Sequence, residues 1–126
     1  MGAGPALGAL ILALALPGCW GCVAFSERII TTLAGGANWV HAIDVDGDGT
    51  VDVLSSAGQD AAVTWYENDG SFTKEDVITD SMDYANSVFA IDVDGDGDVD
   101  ALSSGSTVAA WYENDGSQSF TEHTIS

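Results

Sequence analysis

Residues 43–56 and 91–104 share the pattern I-D-V-D-G-D-G-x-V-D-x-L-S-S, with the two copies 48 residues apart. In the first copy the carboxylates are Asp44, Asp46, Asp48 and Asp52; in the second they are Asp92, Asp94, Asp96 and Asp100. Four like charges in nine residues serve no hydrophobic core. Hard oxygen donors at alternating positions suit calcium, which takes six to eight oxygens in a flexible cage. Gly49 and Gly97 stand where such a loop must turn sharply, and Gly47 and Gly95 ease the same curvature.

Other metals fit less well. Zinc favours His or Cys, and neither loop contains one. Magnesium demands a rigid octahedron and keeps its waters. An EF-hand opens with nearly the same letters, but it needs a Glu at position twelve and a helix on each side. Position twelve here is Ser55 or Ser103, and the residues after each loop read as strands.

The repeat extends beyond the loops. A-N-W-V-H-A at 37–42 matches A-N-S-V-F-A at 85–90, and W-Y-E-N-D-G-S occurs at 65–71 and 111–117. Phe25, Phe72 and Phe120 open three related segments. Between the acidic and glycine-rich turns lie short β-like runs with no sustained helical period. The expected strands are 39–44, 51–56, 62–67 and 72–79, then 87–92, 99–104, 107–113 and 120–126. Asn68-Asp69-Gly70 is a tight-turn signal.

Four short strands per 48-residue period is the unit size of a propeller blade. The expected fold is therefore all-β: two four-stranded antiparallel blade-like repeats at 37–79 and 85–126, plus an orphan N-terminal strand at 25–31. That makes an incomplete β-propeller and a slice of something larger. The alternative is a small two-sheet sandwich.

The chain resembles the FG-GAP/VCBS repeat family, related to the calcium-bearing blades of integrin alpha-chain propellers. The resemblance covers residues 25–126 and rests on the D-x-D-x-D-G-x-x-D runs and the W-Y-E-N hairpins. It implies a first site made of Asp44, Asp46, Asp48, the Thr50 carbonyl and Asp52. The second site would be Asp92, Asp94, Asp96, the Asp98 carbonyl and Asp100. Two calcium ions per chain follow. The resemblance also implies an extracellular module with a structural, adhesive or lectin-like role, with further propeller repeats in cis or in an oligomer, and a glycan or protein ligand, as partners. The alternatives are an accessory, non-catalytic slice of a secreted hydrolase or lyase, and a calcium buffer.

Composition narrows the field. The chain has 20 acidic residues against two basic ones and a net charge of -18. Such a field repels nucleic acid and attracts cations. At 46% hydrophobic the chain is too apolar for a disordered acidic tail. Residues 6–16 are apolar and uncharged, too short to span a bilayer, and read as the core of a signal peptide over 1–24. The expected location is secreted or cell-surface, with no membrane span in the mature chain. Cys19 and Cys22 lie in this leader, so no disulfide framework holds the repeats. Ser, His and Asp share no nucleophile setting, so no enzyme is expected.

The aromatic residues read as packing. Trp65 and Trp111 are expected between the sheets, Trp39 in packing, and His41, the counterpart of Phe89, half-buried. Glu67 and Glu113 are expected to be solvated or bonded to the turns.

Overall fold

The computed structural model describes residues 24–125, so the signal-peptide reading falls almost wholly outside the described residues. Eight strands follow in order: β1 (Ala37–Ile43), β2 (Asp52–Ala57), β3 (Ala62–Glu67), β4 (Lys74–Thr79), β5 (Ser87–Ile91), β6 (Asp100–Ser104), β7 (Ala109–Asn114) and β8 (Phe120–Thr124). They form two antiparallel sheets, β1-β2-β3-β4 and β5-β6-β7-β8.

The propeller expectation is corrected here. Two separate four-stranded sheets neither curl nor close, and the arrangement matches the alternative, a two-sheet sandwich. The physical reason is that each sheet has an apolar face, and packing one on the other buries both. The orphan strand is corrected too: residues 25–31 join neither sheet and are irregular, with one bend at Ile30.

Strand pairing shows which side chains share a face. Across the first sheet, His41, Leu54, Trp65 and Asp76 stand in one row, and Ala42, Val53, Tyr66 and Glu75 stand on the opposite face. Across the second, Ala90, Ala101, Tyr112 and Glu122 form one row, and Phe89, Leu102, Trp111 and His123 form the opposite one. The core joins Leu54, Val63 and Trp65 of the first sheet to Val88, Ala90, Ala101, Ala110 and Tyr112 of the second. Full burial of a side chain such as Leu54, Val63 or Val88 contributes about 1.5–3 kcal/mol. β5 lies against β1 and β2.

The connection from β4 to β5 is tied to both sheets. The Met82 amide donates to the Ala61 carbonyl (2.9 Å), the Ser106 amide to the Asp83 carbonyl (2.9 Å), and Asn38 Nδ2 to the Ala85 carbonyl (3.2 Å). Those bonds fix how the sheets meet. No helix among the described residues is long and apolar enough to cross a membrane.

Several aromatic residues depart from expectation. Trp65 is fully buried, but Trp111 is only half-buried on the outward face and stacks on the His123 ring at 4.5 Å. Trp39 is 53% exposed rather than packed. His41, by contrast, is half-buried as expected, its ring 4.7 Å from that of Phe89. Phe72 does not start β4. It takes φ 54° inside the turn, and β4 begins at Lys74. Glu67 is not free in solvent but pairs with Lys74, which also lies over the Trp65 ring. Glu113 bonds His123 at 2.6 Å.

Candidate metal centre

The two Asp loops are the hairpin connections β1–β2 and β5–β6. Each is folded by its own carboxylates. Asp44 takes the Gly47 amide on one oxygen (2.8 Å) and the Gly49 amide on the other (2.9 Å). Asp92 does the same with Gly95 (2.6 Å) and Gly97 (3.1 Å). Asp46 accepts from the Asp48 amide and Asp48 from the Thr50 amide; Asp94 and Asp96 repeat the pattern with Asp96 and Asp98. These turns draw the side chains inward over the loop backbone. Gly49 (φ 90°) and Gly97 (φ 104°) adopt the left-handed backbone that lets the chain reverse.

The outcome is two clusters. Asp44, Asp46 and Asp48 offer ligand oxygens that all lie within 4.8 Å of one another, and so do Asp92, Asp94 and Asp100. Oxygens on opposite sides of one calcium ion stand about 5 Å apart, twice a bond of ~2.4 Å. The clusters therefore have the span and the all-oxygen chemistry for a hard divalent cation. Asp52 and Asp96 are not members of these groups.

Crowding leaves an electrostatic trace. Desolvation raises the Asp46 pKa above the ordinary carboxylate range, and the charges of Asp48, Asp52 and Glu67 add to the rise, outweighing the Asp48 amide that lowers it. At Asp94 the Asp96 amide pulls the pKa down, but desolvation and the charges of Asp96, Asp100 and Glu113 together raise it. Asp48 goes the other way: the Thr50 hydroxyl (2.6 Å) and amide lower its pKa.

Asp52 and Asp100 play a part that spacing alone did not reveal. Both are buried, at 0% and 1% exposure. Asp52 accepts from the Val45 amide (3.0 Å) and the Asn68 amide (2.8 Å). Asp100 accepts from the Val93 amide (2.9 Å) and the Asn114 amide (2.8 Å). Each carboxylate therefore staples its Asp loop to the turn after the third strand of its sheet. Asn68 and Asn114 complete the staple, since their Nδ2 atoms donate to the Val51 and Val99 carbonyls. The one signal in the sequence was that W-Y-E-N recurs in step with the loops.

The two loops differ at the seventh place. Thr50 Oγ1 donates to the Asn68 carbonyl (3.0 Å), a second link to the turn. Asp98 instead lies against Gly116, whose φ is 74° and where an added Cβ would meet the Asp98 carboxylate.

The turns themselves carry Asp69 and Asp115. The hydroxyl and amide of Ser71 lower the pKa of Asp69, and those of Ser117 lower that of Asp115. A folded pKa below the unfolded value stabilises the protein above the unfolded pKa, about 3.9, and the contribution is lost as pH falls through the lower folded value. Ser71→Ala and Ser117→Ala should each move the corresponding Asp pKa back up toward the ordinary value. Carboxyl NMR titration reads this directly, and unchanged values would contradict the hydroxyl's role.

Compared with known proteins, residues 44–103 match the family model of the FG-GAP-like repeat. The match spans the first Asp loop through most of the second repeat's Asp hairpin. No curated protein and no solved structure matches the chain. The chain is thus an all-β repeat module with two acidic groups able to chelate a cation.

Proposed function

We propose that this chain is a non-catalytic calcium-binding β-repeat module that takes one ion in each Asp loop. The observation that carries the reading is the gathering of three carboxylate ligand atoms within 4.8 Å, once per repeat. In the first loop Asp44, Asp46 and Asp48 would hold the ion, with the Thr50 carbonyl and Asp52 completing the set. In the second, Asp92, Asp94 and Asp100 would hold it, with Asp96 and the Asp98 carbonyl. A bound divalent cation offsets both the desolvation and the mutual repulsion that together raise Asp46 and Asp94. Calcium is favoured over magnesium because the donors sit on a curved hairpin rather than in a rigid octahedron.

Among the roles the sequence suggests, plain calcium binding, the buffer reading, has the most direct support, because both acidic groups speak to it. An adhesive or lectin-like role, or service beside a secreted hydrolase or lyase, adds a ligand or partner to which neither loop speaks. A secreted or cell-surface location agrees with a signal peptide over 1–24 and with the millimolar calcium found outside cells.

Calorimetric titration with calcium tests the reading. The chain should take up two ions, and Asp44→Ala should remove one and leave the other. Equal affinity for magnesium would contradict calcium selectivity. Loss of both ions on one substitution would contradict independent sites.

A further inference from the structure

Residues 27–34 and the outward face of the first sheet hold between them an open cavity of about 390 Å³. Ile30 and Ala34 line it on one side, and Val40, Val53 and Tyr66 line it on the other. The covering segment is pinned at its end: the Gly58 amide donates to the Gly36 carbonyl (3.0 Å) and the Gln59 amide to the Gly35 carbonyl (3.1 Å). The volume lies in the range of small-molecule sites. The cavity shares no residue with either acidic group. Its sheet side contains Ser55, which strand alternation puts on the same face as Val53. Ser55 is 5% exposed, and its hydroxyl is buried with no hydrogen-bond partner. The repeat-equivalent Ser103 is just as buried, yet it donates to the Ser87 carbonyl at 2.7 Å. In the first sheet the pairing of β1 with β2 shifts register between Ala37 and Trp39, beside Val40, the residue opposite Ser55. The Trp39 carbonyl, counterpart of Ser87's, does not accept from Ser55. A buried hydroxyl left alone is unfavourable, and a polar atom placed in the space before it removes the cost.

We propose that this cavity binds a small, uncharged, mainly apolar molecule that sets one hydroxyl or carbonyl oxygen against Ser55. The aliphatic side chains of Ile30, Val40 and Val53 and the ring of Tyr66 supply the apolar contact. The Ser55 hydroxyl can donate or accept, so it serves either kind of oxygen. Charge argues for a neutral ligand. Glu27 and Arg28 both line the cavity, and their opposite charges offset each other. The net charge of -18 opposes an anion. A cation is drawn instead to the Asp loops, where the carboxylates are concentrated.

The experiment titrates the full chain, with calcium present, with p-cresol, p-xylene and p-toluate, followed by amide NMR shifts. The three probes share one ring and differ in carrying a hydroxyl, a methyl or a carboxylate. p-Cresol should bind most tightly, with shifts confined to residues 27–34 and the strands facing them. Ser55→Ala should weaken p-cresol about three- to tenfold, the loss of one hydrogen bond, and leave p-xylene unchanged. Because that variant removes a hydroxyl with no partner, it should melt no lower than the wild type. Val40→Trp changes a residue 67% exposed at the cavity wall and should weaken both neutral probes by filling the space. A wild-type chain that shifts with none of the probes would overturn the proposal. So would equal affinity for p-cresol and p-xylene, or an unchanged p-cresol affinity in Ser55→Ala. Tighter binding of p-toluate than of p-cresol would contradict the neutral class and point to Arg28. A clear fall in the melting temperature of Ser55→Ala would contradict the unpartnered hydroxyl on which the site rests.

Discussion

Removing the cation should lower the melting temperature of this protein by about 20 °C or more. With free calcium at about 100 times the dissociation constant, a ligand that binds only the folded loop adds roughly 2.7 kcal/mol per site. For a domain near 100 residues each kcal/mol moves the melting point by about 4–8 °C, and there are two acidic groups. The cation-free loops also bear desolvation and their own repulsion, which together raise the pKa values of Asp46 and Asp94. Thermal melts in excess chelator and in millimolar calcium make the comparison. High sodium chloride in the chelated sample should recover only part of the loss, since screening weakens repulsion without supplying ligands. Superimposable melts would mean that the loops are acidic turns held by their own amides.

Replacing Asp52 or Asp100 by alanine should cost about 3–5 kcal/mol, even without any cation. Each is a buried carboxylate receiving two backbone amides from two separate parts of its sheet. Truncation leaves those amides without partners and cuts the link between the Asp loop and the following turn. Asp48→Ala is the control. Asp48 is exposed, and its bonds stay within its own loop, to Thr50. Its loss should cost less than about 1 kcal/mol in chelator. Urea unfolding in chelator reads both, with the midpoint shifting at constant slope. Equal midpoints for Asp52→Ala and Asp48→Ala would show that the staple has no structural weight.

Local features of the chain were legible because they depend on local chemistry. β3 falls on residues 62–67 as the Ala62–Glu67 alternation predicts, and other strand ends move by only a residue or two. β4 starts late because Phe72 occupies a left-handed turn position, which a β-propensity reading does not anticipate. What depends on approach from elsewhere was not legible. Trp65 and Trp111 sit in the same seven-residue motif, yet one is buried and the other half-open, because only Trp65 has a second sheet in front of it. The packing of the sheets is set by the 80–86 connection and by side chains meeting across the core, so the repeat period pointed to blades and not to the sandwich observed. At the Asp loops, spacing named the acidic residues. It did not show that Asp52 and Asp100 also hold the Asn68 and Asn114 amides, because those bonds span 16 and 14 residues.

The central claim is that each Asp loop holds one calcium ion, and native mass spectrometry of the folded chain counts ions without any assumption about affinity. Sprayed after exchange into low calcium, the chain should carry a population with two bound calcium ions. Chelation should remove both and shift the charge-state envelope toward a less compact form. A folded chain that carries no calcium, or takes up magnesium in equal number under the same conditions, would contradict the account.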